Sequence, residues 1–335
     1  GRSIHIGLNH VDPSAYNGWD GALSGCINDA NGMKAVADSV GYSSMILTDS
    51  QATSIRVIQE IADAAQLLQA GDTFLVTYSG HGGQVHDANS EEEDAMDETW
   101  VLWDREVIDD ELASLWSQFQ AGVRIIVCSD SCHSGTVLKQ KMTEDVKLAR
   151  THRRSKETVS LRDDSTGNKL ARTQSVMTKI TEPSSSPETS NARVEDIPKS
   201  MPWNIQEAVN KRDRAMYDTL QWITGPARDA NIQASVLLIS GCQDNQLSYD
   251  GTFNGQFTGT LLQVWNNGNF QGNYKSFHQE ILNRMPPEQS PNYYRAGSQN
   301  LAFEQERPFT IRTSTSTTPT TTPTTTTTTT PTTTR

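Results

Sequence analysis

Apolar positions in the first 138 residues alternate between short continuous runs and helical spacing. The runs at 3–9, 73–78 and 123–128 predict buried strands, because each is short and rich in branched apolar residues. Apolar residues recur every three to four positions over 21–40 and 54–69, which predicts two helices. Strands separated by such helices favour right-handed crossovers. We therefore expect an α/β fold class, with a mainly parallel β-sheet flanked by helices on both faces.

This periodicity is lost after residue 138 and returns near residue 202. The intervening segment is rich in Ser, Thr, Lys and Arg, which predicts a flexible, solvated linker. A second set of patterns then predicts helices at 205–223, 259–265 and 274–284, a buried strand at 235–240, and an edge strand within 300–309. The expected organisation is a large first region (3–138), a basic linker (139–201), a small region completing the same domain (202–312) and a disordered Thr/Pro-rich tail (313–335).

Composition limits the classes of protein to which this chain can belong. The formal net charge of −12 argues against a nucleic-acid partner. The four cysteines lack zinc-type spacing and a dense disulfide pattern, so a reducing compartment is expected. The sequence contains no run of 18 apolar residues, so it predicts no membrane-spanning helix. We expect a cytoplasmic, monomeric protein that binds neither nucleic acids nor membranes, while the Thr/Pro-rich tail leaves export or surface display open.

Two of the predicted strands run directly into residues that carry chemistry. His81 follows the strand at 73–78, and Cys132 follows the strand at 123–128, 51 positions later. In parallel sheets the carboxyl ends of strands share one edge, where active sites form. A thiol and an imidazole brought together there make a nucleophile and its general base. Backbone N–H groups of Gly82 and of the loop at Cys132 are candidate oxyanion donors.

Each of these residues alone has a simpler interpretation. A cysteine after a buried strand is usually a small core residue, and His133 is a competing base. Sequence neighbours on an extended chain point apart, however, which favours His81 over His133 as the partner of Cys132. The pairing of two strand-end motifs is what favours catalysis.

The motifs at residues 78–84 (YSGHGGQ) and 129–135 (SDSCHSG) resemble the histidine and cysteine motifs of metacaspases. Residues 23–30 are similar to the metacaspase motif after the first strand, and residues 237–244 and 255–262 are similar to the start of the small-subunit region. The resemblance implies a caspase-like fold and a hydrolase. It implies a thiol protease whose partners are peptide or protein substrates and which acts through an acyl-thioester on Cys132.

The resemblance also implies cleavage after Arg or Lys, in contrast to animal caspases, which cut after Asp. Two carboxylates in a partly desolvated pocket would attract a guanidinium or ammonium group. By match to the family motifs, the specificity pocket is lined by Cys26, Asp29, Ser79 and Asp130. Without the resemblance, Asp29 would be interpreted as a solvated helix position.

The basic linker suggests a zymogen that processes itself. Autoprocessing there would leave a large and a small fragment associated, and the alternative is a linker with no regulatory role. The candidate cleavage positions are Arg150, Arg153, Arg154, Lys156, Arg162, Lys169, Arg172 and Lys179.

The chemistry itself needs no cofactor, but calcium is a candidate activator. Many metacaspases bind calcium through aspartates that match Asp97, Asp109 and Asp110 here, and hard cations prefer carboxylate oxygens. A fourth family aspartate is replaced by Lys139, whose charge would repel the metal. The acidic run at 91–98 is otherwise typical of a solvated loop.

Two other functions remain open from the sequence. The first is a non-catalytic caspase-like regulator or scaffold, against which the presence of His81 and Cys132 argues. The second is a related peptidase with another preference, such as a legumain-like enzyme that cuts after Asn. Nucleotide binding is disfavoured because no Walker or GxGxxG motif is present.

Overall fold

The first part of the chain alternates strands and helices as predicted. A computed structural model of the protein describes residues 1–87, 96–131, 197–242 and 247–312. The elements up to residue 79 are β1 (Arg2–Gly7), α1 (Cys26–Ser39), β2 (Ser43–Thr48), α2 (Ser54–Leu67) and β3 (Thr73–Ser79).

A small antiparallel sheet interrupts this alternation beyond β3. It has the strand order β4-β5-β6 within the described residues. The elements of this part are β4 (Gly82–His86), β5 (Met96–Val101), β6 (Glu106–Ile108), α3 (Asp109–Ser117) and β7 (Arg124–Asp130). Because only Gly80 and His81 separate the end of β3 from the start of β4, this turn is held by strands on both sides.

The second part adds two more strands to the main sheet. Its elements are α4 (Trp203–Thr224), β8 (Ser235–Ser240), α5 (Gln256–Trp265), α6 (Tyr274–Arg284), β9 (Asn292–Gly297) and α7 (Leu301–Glu304). In the parts of the chain that the structure describes, no helix is both long and apolar enough to cross a membrane.

The main sheet has the order β2-β1-β3-β7-β8-β9 within the described ranges. All of its neighbouring strands are parallel except β9, which runs antiparallel to β8 at one edge. Alternate residues face opposite cores: Val76 and Ile125 pack in one, and Leu75 and Ile126 pack in the other. Both faces are thus buried, which explains the continuous apolar runs of the central strands. The α/β, mainly parallel fold class is confirmed.

One predicted strand is wrong. Residues 300–309 form α7 and a following loop, and the antiparallel edge strand is instead β9. Asn300 begins the helix, because its side chain accepts a hydrogen bond from the backbone N–H of Phe303 at 3.0 Å. Phe303 and Phe309 are almost fully buried in a core shared with Trp265. Their apolar character reflects insertion into this core rather than a strand pattern.

Candidate active site

The sheet register aligns the two predicted catalytic motifs. Ser79, the last residue of β3, pairs with Asp130, the last residue of β7. His81 follows Ser79 by two residues, and Cys132 follows Asp130 by two residues in the sequence. Cys132 itself lies outside the described residues. The strand ends that precede both motifs therefore lie side by side at one sheet edge.

The backbone and ring of His81 are both fixed. Its carbonyl accepts hydrogen bonds from the Tyr78 hydroxyl at 2.6 Å and from the Val101 N–H at 3.1 Å. Its Nε2 lies 3.0 Å from the carbonyl oxygen of Gly21. Because a carbonyl only accepts, Nε2 carries the proton and Nδ1 is the basic nitrogen. Nδ1 has no well-aligned hydrogen-bond partner among the described residues, so it is available to take a proton.

The surroundings of His81 keep the imidazole neutral. Burial lowers its pKa to about 4; the Gly21 carbonyl opposes this shift, and the nearby Lys199 ammonium adds to it. The Trp19 ring packs on the imidazole, with 4.7 Å between ring centroids. At neutral pH the ring is thus an unprotonated base in a defined orientation.

Residues predicted to line the specificity pocket meet beside this edge. Asp29 lies in the first turn of α1, and its carboxylate accepts a hydrogen bond from the Ser79 hydroxyl at 2.6 Å. Cys26, Asp29, Ser79 and Asp130 are all buried, at 2% exposure or less. Burial raises the pKa of the Cys26 thiol, so it stays protonated and is not a second nucleophile.

The second part of the chain holds the two carboxylates in place. Asp29 accepts hydrogen bonds from the Asn254 side-chain amide at 2.8 Å and from the Gly255 N–H at 3.0 Å. Asp130 accepts hydrogen bonds from the Ser248 hydroxyl and the Thr258 hydroxyl, each at 2.7 Å. The sequence analysis did not identify these supporting residues. Their only signal was their position around the small-subunit motif.

A lysine side chain fills the pocket, and the sequence analysis missed it. The ammonium of Lys199 lies 3.1 Å from the Asp29 carboxylate, 3.2 Å from the Asp130 carboxylate and 2.9 Å from the Ser79 hydroxyl. The Lys199 side chain is fully buried. The predicted solvated linker is therefore wrong for its last residues, since Lys199, Ser200 and Met201 are all buried.

The charge states of Lys199 and Asp29 follow from the position of one ammonium group between two carboxyl groups. Burial alone lowers the pKa of Lys199, but Asp130, Cys26 and Asp29 outweigh it and raise that pKa well above its ordinary value. Burial raises the pKa of Asp29 to about 6, against the opposing effect of Lys199. Lys199 is thus charged, and it lies between two acidic side chains.

The backbone around Lys199 is hydrogen-bonded on both sides. On one side, the Lys199 N–H donates to the Ser248 carbonyl at 2.9 Å. On the other, the Lys199 carbonyl accepts a hydrogen bond from the Gly82 N–H at 3.0 Å, and the Met201 N–H donates to the Gly82 carbonyl at 2.9 Å. Gly82, a predicted oxyanion donor, therefore faces the carbonyl of the residue whose side chain fills the pocket.

The predicted calcium ligands lie elsewhere. Asp97 is on β5, and Asp109 and Asp110 begin α3. Asp110 already accepts a hydrogen bond from the Ala227 N–H at 2.6 Å. No group of three His, Cys, Asp or Glu side chains suited to a metal occurs among the residues that the structure describes. The described aspartates alone do not fit a metal site, and Lys139 lies outside the described residues; calcium activation stays a prediction.

The predicted self-cleavage positions, from Arg150 to Lys179, also lie outside the described residues. A cavity of about 440 Å³ is lined by residues that include Trp116, Val236 and Tyr294, and it reaches Ser129, which directly precedes Asp130. Its lining does not include His81, Asp29 or Asp130.

Comparison with known proteins places the chain in a family. A family model described as Caspase domain matches residues 10–308. Metacaspase-1 of Saccharomyces cerevisiae is 37% identical over 161 residues, which cover 44% of this chain and 36% of that protein. Metacaspase-1 of Kluyveromyces lactis is 30% identical over 275 residues, which cover 78% of this chain and 56% of that protein. The alignments thus span about a third to just over half of the length of these relatives.

A solved structure extends the likeness to the fold. The crystal structure of a protein from Geobacter sulfurreducens is 41% identical, with a TM-score of 0.74, and the match covers 93% of this chain and 99% of that chain. The predicted resemblance to metacaspases is confirmed by these matches. The chain belongs to the caspase-domain family of cysteine peptidases, and its relatives within that family include the metacaspases.

Proposed function

We propose that this chain is an endopeptidase that cuts peptide bonds on the carboxyl side of Lys or Arg, using Cys132 and His81. The observation that most supports this specificity is the Lys199 ammonium, which is fully buried between Asp29 and Asp130. Burying a charge is costly unless it is paired, and these carboxylates supply the pairing. An acidic side chain in the same place would be repelled.

The first chemical step needs a thiolate at the sheet edge. Nδ1 of His81 takes the proton from the Cys132 thiol, and the sulfur attacks the carbonyl carbon of the residue in the pocket. The developing oxyanion accepts a hydrogen bond from the Gly82 N–H, the group that now bonds the Lys199 carbonyl. The C–N bond then breaks as His81 gives its proton to the departing amine.

The second step releases the acyl group. His81, again neutral, takes a proton from a water molecule, and the resulting hydroxide attacks the thioester carbonyl. The C–S bond breaks, the carboxylic acid product leaves, and Cys132 regains its proton. The low pKa of His81, about 4, supports this role because the free base predominates at neutral pH.

The test is hydrolysis of matched short fluorogenic peptides that differ only in the residue before the scissile bond: Arg, Lys, Asn or Asp. The proposal expects cleavage after Arg and Lys by the wild-type chain and loss of it in Cys132→Ala and His81→Ala. His10→Ala is the matched control, since His10 is exposed and lies outside the pocket. Cleavage after Asn would instead indicate a legumain-like preference.

Active-site labelling separates a poor enzyme from a non-catalytic regulator. Iodoacetamide should alkylate Cys132 in preference to the buried Cys26, Cys128 and Cys242, and this preference should be lost in His81→Ala. Failure to label Cys132, together with no hydrolysis of any peptide, would contradict the proposal and favour the regulator. A chelator arm tests whether calcium is needed.

A further inference from the structure

We infer that Glu106 is a positioning residue for the proposed peptidase reaction, because it orients Gln206 to hold the strand that begins at Gly82, the proposed oxyanion donor. This inference rests on the proposed function and adds to it two residues that lie outside every motif of the sequence analysis. Glu106 is the first residue of β6, and Gln206 lies near the start of α4. Both side chains are buried, at 2% exposure or less.

The second part of the chain covers the edge of β4 that does not pair with β5. Gly82, at the start of this edge, forms a parallel bridge with Ser200. Further along the edge, the Gln84 N–H donates a hydrogen bond to Oε1 of Gln206 at 2.9 Å, and the Gln84 carbonyl accepts one from the Asn210 side-chain amide at 2.9 Å. Two side chains that are four residues apart on α4 therefore take the place of a neighbouring strand.

The carboxylate of Glu106 determines which end of the Gln206 amide faces β4. Nε2 of Gln206 donates a hydrogen bond to Oε1 of Glu106 at 2.7 Å. The other oxygen of Glu106 accepts a hydrogen bond from the Thr99 hydroxyl on β5 at 2.5 Å. Because an ionised carboxylate only accepts hydrogen bonds, the amide nitrogen must face Glu106, and the amide oxygen is left to accept from the Gln84 N–H.

This pair of side chains packs directly against the backbone that follows the catalytic turn. An added Cβ at Gly83 would collide with Oε1 of Gln206 and with Oε2 of Glu106. Gly83 comes next in the chain after His81 and Gly82, the proposed base and the proposed oxyanion donor. A shift of β4 would therefore displace both groups, and a misplacement of about 1 Å can cost about 100-fold in rate.

A second carboxylate at position 206 would be repelled by the first. Burial raises the pKa of Glu106 to about 7, the hydrogen bonds from Thr99 and Gln206 oppose this shift, and the negative charge of Asp213 adds to it. Two carboxyl groups at hydrogen-bond distance do not both ionise readily, so such a pair would share one proton near neutral pH. The ionisable groups that lie around Glu106 are Tyr16, Tyr78, Arg105, Asp213 and Tyr217.

Exchanging the acid and the amide tests this arrangement. The measurement is kcat and KM for a short Arg peptide at pH 8, corrected for the fraction of folded chain from circular dichroism. Gln206→Glu should lower kcat by about 10- to 100-fold. Its KM should stay within about twofold of the wild type, because the acidic pocket is unchanged. Adding Glu106→Gln restores one amide that faces one carboxylate, so kcat should return to within about threefold of the wild type.

The pH gives a second readout, and a matched change elsewhere gives the control. As the pH falls from 8 to 6, the two carboxyl groups of Gln206→Glu gain a shared proton, so kcat of this variant relative to the wild type should rise. Gln279→Glu is the control, since the Gln279 amide likewise donates to an asparagine four residues further on, Asn283, at 2.9 Å. Gln279 is exposed on α6, so its change should alter kcat at neither pH.

The inference is overturned if folded Gln206→Glu keeps the kcat of the wild type at pH 8, even with a lower melting temperature, because the pair would then only stabilise the fold. If this variant does not fold at pH 8, the double exchange decides. Recovery of folding and of kcat supports the inference, and a double exchange that is misfolded or inactive overturns it. In each of these results the wild type cuts the Arg peptide. They are thus distinct from failure of the proposed function, in which no variant cuts any basic peptide.

Discussion

The ammonium of Lys199 lies 3.1 Å from the carboxylate of Asp29, and both side chains are almost completely buried. If substrates use the same contact, Asp29→Asn should lower kcat/KM for short Lys and Arg peptides by about 10- to 100-fold, the value of one hydrogen-bonded charge. The loss should be greater for Lys, whose single ammonium depends on point-charge contacts, than for Arg. Steady-state kinetics on the two peptides measure it.

Asp38→Asn is the matched control for this change. Asp38 lies near the other end of α1 and pairs with Lys34 on the surface, where an ion pair contributes little. Its kinetics should equal those of the wild type. An equal loss in both variants would mean that the charge of the whole protein, rather than the pocket, attracts basic peptides.

Gly255 should tolerate no side chain. An added Cβ would enter the space between the Lys199 ammonium, the Asp29 carboxylate and the Asp130 carboxylate. The φ of Gly255 is −56°, so the obstacle is steric and not backbone strain. Each displaced charge contact is worth about 1.5–3 kcal/mol. Gly255→Ala should therefore lower kcat/KM for hydrolysis after Lys and Arg by at least about 100-fold.

Gly259→Ala, one turn further into α5, is the comparison. A methyl group there would lie 3.3 Å from Cβ of Asn254 and near no charged group. Activity should persist, because the methyl group would meet one side-chain carbon and displace no charged group. If Gly255→Ala kept full activity, the pocket would not be the binding place of the basic side chain.

The strand ends at the candidate site could be predicted from the sequence, but the position of Lys199 between Asp29 and Asp130 could not. The position of His81 at a strand end could be predicted because buried strands and glycine turns have clear patterns, and the Ser79–Asp130 register then follows from the parallel sheet. Lys199 lies in a segment whose composition indicates solvation, and lysines are rarely buried. Its burial depends on two carboxylates that are 170 and 69 positions away in the chain, at Asp29 and Asp130. Such pairing is a property of the fold, which local composition does not contain.

Removing the Lys199 charge should destabilise the folded chain in a pH-dependent way. In a Cys132→Ala background, which prevents self-cleavage, Lys199→Ala should lower the free energy of unfolding by about 3–5 kcal/mol at pH 8, since it leaves buried carboxylates unpaired. The pKa of Asp29 is already raised to about 6 with Lys199 present, and loss of the cation raises it further. A carboxyl with a raised folded-state pKa regains stability as pH falls through that pKa, so the deficit should shrink at pH 5.5.

Urea unfolding at the two pH values measures this difference. Lys211→Ala, in the same background, should stay within about 0.5 kcal/mol of its parent at both pH values, because Lys211 is exposed. A deficit that grows on acidification would contradict the assigned ionisation of Asp29 and Lys199.

Trp19 should act as a positioning residue for the general base. Its ring packs on His81 at 4.7 Å between centroids, while the Gly21 carbonyl holds Nε2 at 3.0 Å. Loss of the ring should let the imidazole rotate away from Gly21, and a ring contact of this kind is worth about 0.5–1.5 kcal/mol. Trp19→Ala should therefore lower kcat by about 2- to 10-fold with little change in KM, and Trp19→Phe should restore most of it.

The rate of Cys132 alkylation against pH provides a readout that a purely structural role would not change. In Trp19→Ala the imidazole gains access to water, so its pKa should rise from about 4 towards its ordinary value, and the profile should shift in the same direction. Trp222→Ala, at a tryptophan that is 85% exposed, should leave both kcat and this profile unchanged. A raised KM with an unaltered alkylation profile would instead place Trp19 in the substrate path, because the base would then be positioned without it.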